Sequence, residues 1–470
     1  MSYSNAVVDD TMLPPFVDER AGAQTAQDGL EEAGKRARKQ APRKAGGQWS
    51  RSQHAMPALA RLRAQEAIRD ETLLGVRYAR MASSSWAYLR GAAAVMAADL
   101  AAQPHSGLRV QMCGDAHILN FGLWASPERQ LLFDVRDFDE ILPGPFEWDL
   151  KRLTASAHVL AAAEGLDRSA GEAAAAAAVD GYVESMRRYA DLGELDIWYD
   201  VITTDAALEY LASDEAERAR DRIEKESEKK SHEGAVEKLT EDDEQRRITS
   251  DPVKRRRYEL SDDQAKKVWP QVVGTYLESL SPHLRRLVSR FSLVDSVRQV
   301  VGVGSVGMRI YLNLMEGPSG KQPVFFQMKQ ASASVYEEFL GPSEFDNHGQ
   351  RVVAGQRLMQ SASDIFLGWA RGESFDYYIR QFRDMKVIPD GEQIAGHLAE
   401  FAALCGSALA KSHARSGEPV AISAYIGKGP AFTRGMLDFA RAYAAQTHED
   451  HAELVAAIAA GVVPAVENPW

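Results

Sequence analysis

One block of this chain reads clearly as β-sheet, and it is embedded in sequence that reads as helix. Residues 296–330 run SVRQVVGVGSVGMRIYLNLMEG and then QPVFFQMKQA, β-branched and aromatic residues broken by glycines. That composition predicts two or three antiparallel strands with a turn at Gly317 to Gly320. Ahead of it, residues 56–102 repeat Leu59, Leu62, Leu73, Tyr78, Met81 and Trp86 at helical three- and four-residue steps, and residues 147–191 are helical again. After it come a helix at about 346–362, a strand-like YYIRQF, and Ala-rich helices over 391–416 and 430–461. The expectation is an α+β fold. At 470 residues the chain exceeds the size at which one core usually stops growing, so two lobes are expected.

Composition narrows the function classes. The net charge of −12 argues against a nucleic-acid partner, which needs a positive surface field. The two cysteines, Cys113 and Cys405, are too far apart to suggest a zinc cluster or a disulfide framework. No run approaches the roughly 18 apolar residues of a spanning helix, and the N-terminus is acidic and Pro-containing. The expectation is a cytoplasmic protein without a membrane partner.

Two segments lack apolar periodicity. Residues 1–50 end in the basic run Lys35, Arg36, Arg38, Lys39, Arg43 and Lys44 and are expected to form a disordered tail. Residues 201–290 are expected to be a charged helical insertion. Between Asp214 and Arg257 the sizeable aliphatics are Ile223, Val236, Leu239, Ile248 and Val253, too few for a core. A solvated excursion is the plainer reading of 214–257, and a protein-docking segment the alternative.

Chemistry concentrates in residues 107–140, which shorten to LRVQMC and QLLFDV around the loop CGDAHILNFG. Asp115 stands five positions before Asn120, the pairing used by phosphoryl-transfer loops of the form H-R-D-x-x-x-x-N. There the aspartate orients or takes the proton of an attacking hydroxyl and the asparagine oxygen holds a divalent ion. Asp137 follows 17 residues later in RDFDE, at a strand end suited to a metal-binding carboxylate. Asp149 opens the helix DLKRLTAS and is placed to cap or anchor it through backbone amides. The plainer reading of Asp115 and Asn120 is a closed turn, and of His117 a structural histidine. Asp134 and Asp139 read as supporting carboxylates or simple polar positions, and His158 and His413 as helix-packing residues.

GDAHILN, DFDE and WDL together resemble the H-G-D-x-H-x-x-N, I-D-[WF]-[DE] and D-L series of the aminoglycoside phosphotransferase and choline kinase branch of the protein-kinase-like superfamily. Segments such as YLRGAAAVMAADL, DFDEILPGPFEWDLKRL, GVGSVG and GQRLMQSASDIFLGW further resemble the bacterial family DUF2252, from roughly residue 70 to 440. The kinase-like resemblance implies Asp115 and His117 as catalytic residues and Asn120 and Asp137 as metal ligands. Cys113 departs from it, standing where those phosphotransferases carry histidine.

A kinase-like site also needs a glycine loop and a strand lysine on the phosphates. Gly302, Gly304 and Gly307 form GxGxxG within β-like sequence, and Lys329 follows Gly307 by 22 residues in VFFQMKQA. The acidic partner of Lys329 is expected among Glu337, Glu338 and Glu344 near the start of the next helix, with Glu337 preferred. These parts follow the catalytic loop by nearly two hundred residues instead of preceding it. A circular permutation accounts for that order: residues 51–200 and 386–470 would form the helical lobe, and 291–385 the nucleotide lobe and hinge.

The expected function is therefore an ATP- and Mg2+-dependent phosphotransferase, with Mn2+ as an alternative ion, acting on a small-molecule hydroxyl acceptor. Nucleotidyl transfer uses the same parts. Two other readings stay open: a catalytically silent nucleotide-binding module acting through partners, and a metal-dependent hydrolase in which GxGxxG and Lys329 are coincidental.

Overall fold

The computed structural model describes residues 23–470 apart from 53–54, 243–245, 252, 257–261, 321, 384 and 468–469. Its architecture is α+β, with most strands in one block. β1 (Arg109–Met112) pairs with β4 (Leu142–Pro145), enclosing the hairpin of β2 (Phe121–Ala125) and β3 (Leu131–Val135). β5 (Thr240–Asp242) and β6 (Arg246–Ile248) form a second small hairpin. The main sheet holds β7 (Arg255–Arg256), β8 (Ser292–Gln299), β9 (Ile310–Glu316), β10 (Val324–Ala331), β11 (Gly368–Arg371) and β12 (Asp376–Gln381). Its order is β11-β12-β10-β9-β8-β7, antiparallel throughout.

The period-2 geometry of β10 sorts its residues onto two faces. Val324, Phe326 and Met328 pack on Trp269, Val272 and Tyr276 of the helix Asp262–Ser279. On the other face Phe325 joins Leu312, Leu314, Ala235, Leu239 and Ile248. Further along that face, Lys329 lies opposite Tyr378 and Gln327 opposite Arg380, turned toward the helices.

Residues 214–257 thus differ from the expected solvated excursion. Ala235, Leu239 and Ile248 close one face of the sheet, and the helix Asp262–Ser279 that follows supplies the core beneath the other. Each element buries too little on its own to show a helical stripe, so the pattern becomes visible only when the sheet completes the surface.

The helical lobe draws on both ends of the chain. One core takes in Leu89 to Ile197 and Ile394 to Ala444, with the helices Arg168–Ala190 and Leu398–Ala414 packed against each other. The expected tail also differs. Residues 1–22 lie outside the described residues, but Ala23–Gln40 is a helix packed on the helix Pro419–Ile426. Small residues make that contact, and a Cβ on Gly34 would come within 2.2 Å of the Ala421 carbonyl. Arg38 Nε and Arg43 Nη1 donate to the carbonyls of Tyr425 and Ile426 at 3.0 and 2.6 Å, satisfying the C-terminal end of that helix. Arg51 then pairs with both Asp99 and Asp450. Two basic residues of the run that reads as solvated, Arg38 and Arg43, are partners of a helix terminus. Among the described residues, no helix is long and apolar enough to cross a membrane.

Candidate functional site

β1 delivers the chain to a tight turn at Cys113 and Gly114. Gly114 has φ +78, and a Cβ there would meet the Glu140 carbonyl at 2.3 Å, so the position requires glycine. Asp149 accepts from the amides of Cys113 and Gly114 at 2.7 and 3.0 Å, and its buried carboxylate lies 3.3 Å from His413 Nε2. His413 in turn meets the Tyr182 hydroxyl at 2.9 Å. Asp149 is thus an anchor of the loop. Cys113 is fully buried, and burial pushes its thiol well above the usual value.

The loop presents Asp115 to the gap between the lobes. Arg152 Nη2 and Nε reach Asp115 Oδ1 at 2.6 and 2.7 Å, while the side chain stays 24% exposed. Burial raises the Asp115 pKa against the pull of Arg152. His117 is buried edge-on to Trp86, and its Nδ1 has no hydrogen-bond partner among the described residues. Burial, then Arg90, Arg152 and Arg136, hold its pKa well below the ordinary value, so the imidazole is neutral at pH 7.

Asn120 is turned onto backbone. Its Nδ2 donates to the carbonyls of Asp115 and Asp137 at 2.9 and 3.0 Å, and its Oδ1 accepts from the Asp137 amide at 3.0 Å. It ties the start of one loop to the other.

Asp137 and Asp139 meet Lys329 from the main sheet. Lys329 Nζ bonds Asp139 Oδ2 and stands 3.5 Å from Asp137 Oδ1. The Tyr378 hydroxyl donates to the other Asp139 oxygen at 2.9 Å. Asp137 Oδ1 is enclosed without a hydrogen bond among the described residues, although the side chain as a whole is 43% exposed. Burial opposes its ionisation, but Lys329, Arg380, Arg136 and Lys386 outweigh that and hold the carboxyl well below its usual range. Glu337 does not partner Lys329. It accepts from the Ser334 amide at 2.9 Å and lies 3.7 Å from Arg351, because its short helix Glu337–Leu340 caps the turn after β10.

Over these carboxylates lies the loop between β8 and β9. Arg69 and Arg77 both donate to the Gly304 carbonyl, at 2.8 and 2.9 Å, and Arg80 donates to the Gly302 carbonyl at 2.9 Å. With its carbonyls held this way, the amides of Gly302, Val303, Gly304 and Ser305 donate to no acceptor among the described residues. Gly302 and Gly307 have φ +70 and +91, and a Cβ on Gly307 would press on Arg69 at 2.9 Å. A cavity of about 120 Å³ remains, bordered by Asp115, His117, Asp137, Gly302, Gly304 and Arg90.

A family model described as an uncharacterised protein conserved in bacteria, DUF2252, matches residues 69–457. The chain belongs to the DUF2252 family. The DUF2252 match begins at an arginine that grips the glycine loop and runs into the helix Pro430–Ala459, so it includes every part of the site. A search of curated proteins and one of solved structures found no match.

In this DUF2252 chain, then, Asp115, His117, Asp137, Gly302 and Gly304 share one cavity, with Lys329 directly behind it. Asn120 and Gly307 shape its walls, and Glu337 stands apart. Among the described residues no group of three or more His, Cys, Asp and Glu could hold a metal ion. A metal ion held at Asp137 would need ligand oxygens to complete its coordination shell, as Mg2+ sites on phosphates commonly do. Arg90, Glu140 and Ser305 are among the cavity residues that the sequence did not single out. Arg90 sits in the helix Ser85–Gly91, where an arginine ordinarily faces water, and here it makes no hydrogen bond or ion pair with a described residue. Glu140 accepts from the Val335 amide at 2.8 Å, and burial pushes it up to about 7.

Proposed function

We propose that this chain is a protein-kinase-like phosphotransferase that uses ATP with Mg2+ or Mn2+ and acts on a small-molecule hydroxyl. The observation that carries the reading is the meeting of Lys329 with Asp137 and Asp139 under a glycine loop whose amides donate to no acceptor among the described residues. A strand lysine, a metal carboxylate and free backbone amides are the parts that grip phosphates in such enzymes. Their reversed order along the chain supports a circular permutation, with the helices that complete the lobe supplied by residues 386–470.

Each residue then has a physical task. The glycine-loop amides and Arg90 hold phosphate oxygens, the first through dipoles and the second through charge. Asp115 has one oxygen on Arg152 and borders the cavity. Its raised affinity for protons suits it to orient or accept the hydroxyl proton of the acceptor. His117, neutral and beside Asp115, lends polarity without adding charge. Asn120 fixes the spacing of Asp115 and Asp137 through three backbone hydrogen bonds, and its oxygen keeps one lone pair for an ion. The Asp137 carboxylate, 43% exposed at the cavity, would hold a divalent ion, which when bound would neutralise charge on the phosphoryl oxygens. Acceptor preference for a small molecule rests on the resemblance of the loop to small-molecule kinases.

The same cavity fits a second reading: a silent nucleotide-binding module would use the glycine loop, Lys329 and Asp137 in the same way without turnover.

Thermal unfolding with and without ATP and Mg2+ or Mn2+, on wild type and Asp137→Ala, tests the proposal. A ligand that binds only the folded chain at a hundred times its dissociation constant stabilises it by about 2.7 kcal/mol. The expected result is a metal-dependent rise that Asp137→Ala abolishes. No rise with any nucleotide would overturn the proposal, and a rise without turnover of any acceptor would select the silent module.

A further inference from the structure

Asp137 has cations on two sides. Arg90 approaches it from the glycine-loop side. On the other side, where β12 leads into the connection between the lobes, stand Arg136, Arg380 and Lys386. Their partners are neutral. Arg136 Nη2 donates to the Leu119 carbonyl at 3.0 Å, and its Nε is buried without a partner among the described residues. Arg380 makes long contacts of 3.3 to 3.4 Å, to Gln327 Oε1 and the Arg136 carbonyl. Lys386 makes no hydrogen bond or ion pair with any described residue.

The backbone forces these three together. Val387 exchanges both backbone hydrogen bonds with Leu123 at 2.9 Å, drawing the connection onto β2. Gly122 permits this, since a Cβ there would lie 2.8 Å from the Val387 carbonyl and 3.3 Å from Arg136 Cδ.

Among the described residues no carboxylate bonds directly to any of the three. Asp139 is taken by Lys329 and Tyr378, and Asp115 by Arg152. Asp364 accepts from the amides of Phe366 and Gln381, and with Asp137 it attracts Arg380 and Lys386 from a distance. Burial, then Arg380 and Arg136, hold the proton affinity of Lys386 well below its ordinary value. Three partly buried cations with no described carboxylate bonded to them suit an anion that completes the site.

We propose that Arg136, Arg380 and Lys386 form a second anion subsite, so that the ligand of this cleft carries two phosphate-type groups, one on each side of Asp137. Two planar guanidinium forks and a point-charge ammonium suit the terminal oxygens of a phosphate. Placing the first group beneath the glycine loop rests on the phosphotransferase reading above. The second subsite stands on its own cations. Under that reading, the region next to the lobe connection holds a charged end of the ligand and not an apolar one.

Isothermal titration of the full chain with inorganic tripolyphosphate, without divalent ions, tests this. Lys386→Met removes a side chain that makes no bond with a described residue, and Lys386→Arg restores the charge. Exposed Lys229→Met controls for net charge. The expected result is a loss of affinity on the order of ten-fold in Lys386→Met, recovery in Lys386→Arg and little change in Lys229→Met. Equal affinity of wild type and Lys386→Met, or an equal loss in Lys229→Met, would overturn the inference. If ATP with Mg2+ still stabilises the chain through Asp137 in that case, the phosphotransferase reading survives. Tripolyphosphate binding that depends on Lys386, with no response to ATP, would leave the subsite standing and remove that reading.

Discussion

Lys329 and Asp139, 190 positions apart in the chain, share a direct ion pair between the main sheet and the loop that follows β3. The pair joins the two lobes at the cavity. It also fixes the side of the sheet on which Lys329 must emerge, because a one-residue slip of β10 would turn it into the apolar face beside Met328.

Removing Lys329 should therefore cost stability as well as ligand binding. Breaking one partner of a buried pair costs about 3–5 kcal/mol, and partial exposure of Asp139 and Asp137, at 33% and 43%, lowers the figure. Lys329→Met is expected to lose roughly 2 kcal/mol in urea unfolding. The double variant Lys329→Met/Asp139→Asn should lose clearly less than the sum of the two single changes. Simple additivity would mean that the pair contributes nothing.

Asn120 serves first as a clamp. Its three backbone hydrogen bonds are made at 1% exposure. Asn120→Ala should leave buried groups unpaired and cost about 2–4 kcal/mol in metal-free buffer. Asn120→Asp should also destabilise, since it loses the donor to two carbonyls and adds a charge beside Asp137. Were Asn120 only a metal ligand, both variants would match wild type until a divalent ion was added.

Glu140 gives a pH signature. Its ordinary pKa of 4.5 is raised to about 7 in the folded chain, by burial against the Val335 amide and Arg351. Between those values the folded state holds more protons than the unfolded one, so this group's contribution is complete below pH 4.5 and is lost as pH rises through 7. Glu140→Gln keeps an acceptor for Val335 without the charge. It should be neutral at pH 4.5 and more stable than wild type at pH 8 by on the order of 2 kcal/mol. An equal difference at both pH values would show that burial does not raise this carboxyl.

The loop around Asp115 was legible because its chemistry is local. Asp115, Asn120, Asp137 and Asp149 lie within 35 residues and act through hydrogen bonds along that stretch. The glycine loop and Lys329 were legible for the same reason. Glu337 misled because proximity in sequence stood in for proximity in space, whereas the partner of Lys329 comes from another lobe. The helix Ala23–Gln40 was missed because Gly34, Ala37 and Ala41 make its contacts by being small, which hydropathy does not register. Arg90, Arg136, Arg380 and Lys386 carry no local mark at all.

By itself, the sequence determined the α+β class and the positions of the two loops that border the cavity, which rest on periodicity or spacing within short stretches, and the DUF2252 membership, which rests on likeness over most of the chain. Only the tertiary structure decided that the two loops face one another, that Asp139 receives Lys329, and that a cationic cluster gathers beside Asp137. Those facts depend on which face of β10 and which end of the helical lobe meet. Burial and Coulomb energy, which depend on distance in space, govern that meeting, and distance in space is not written in the order of residues.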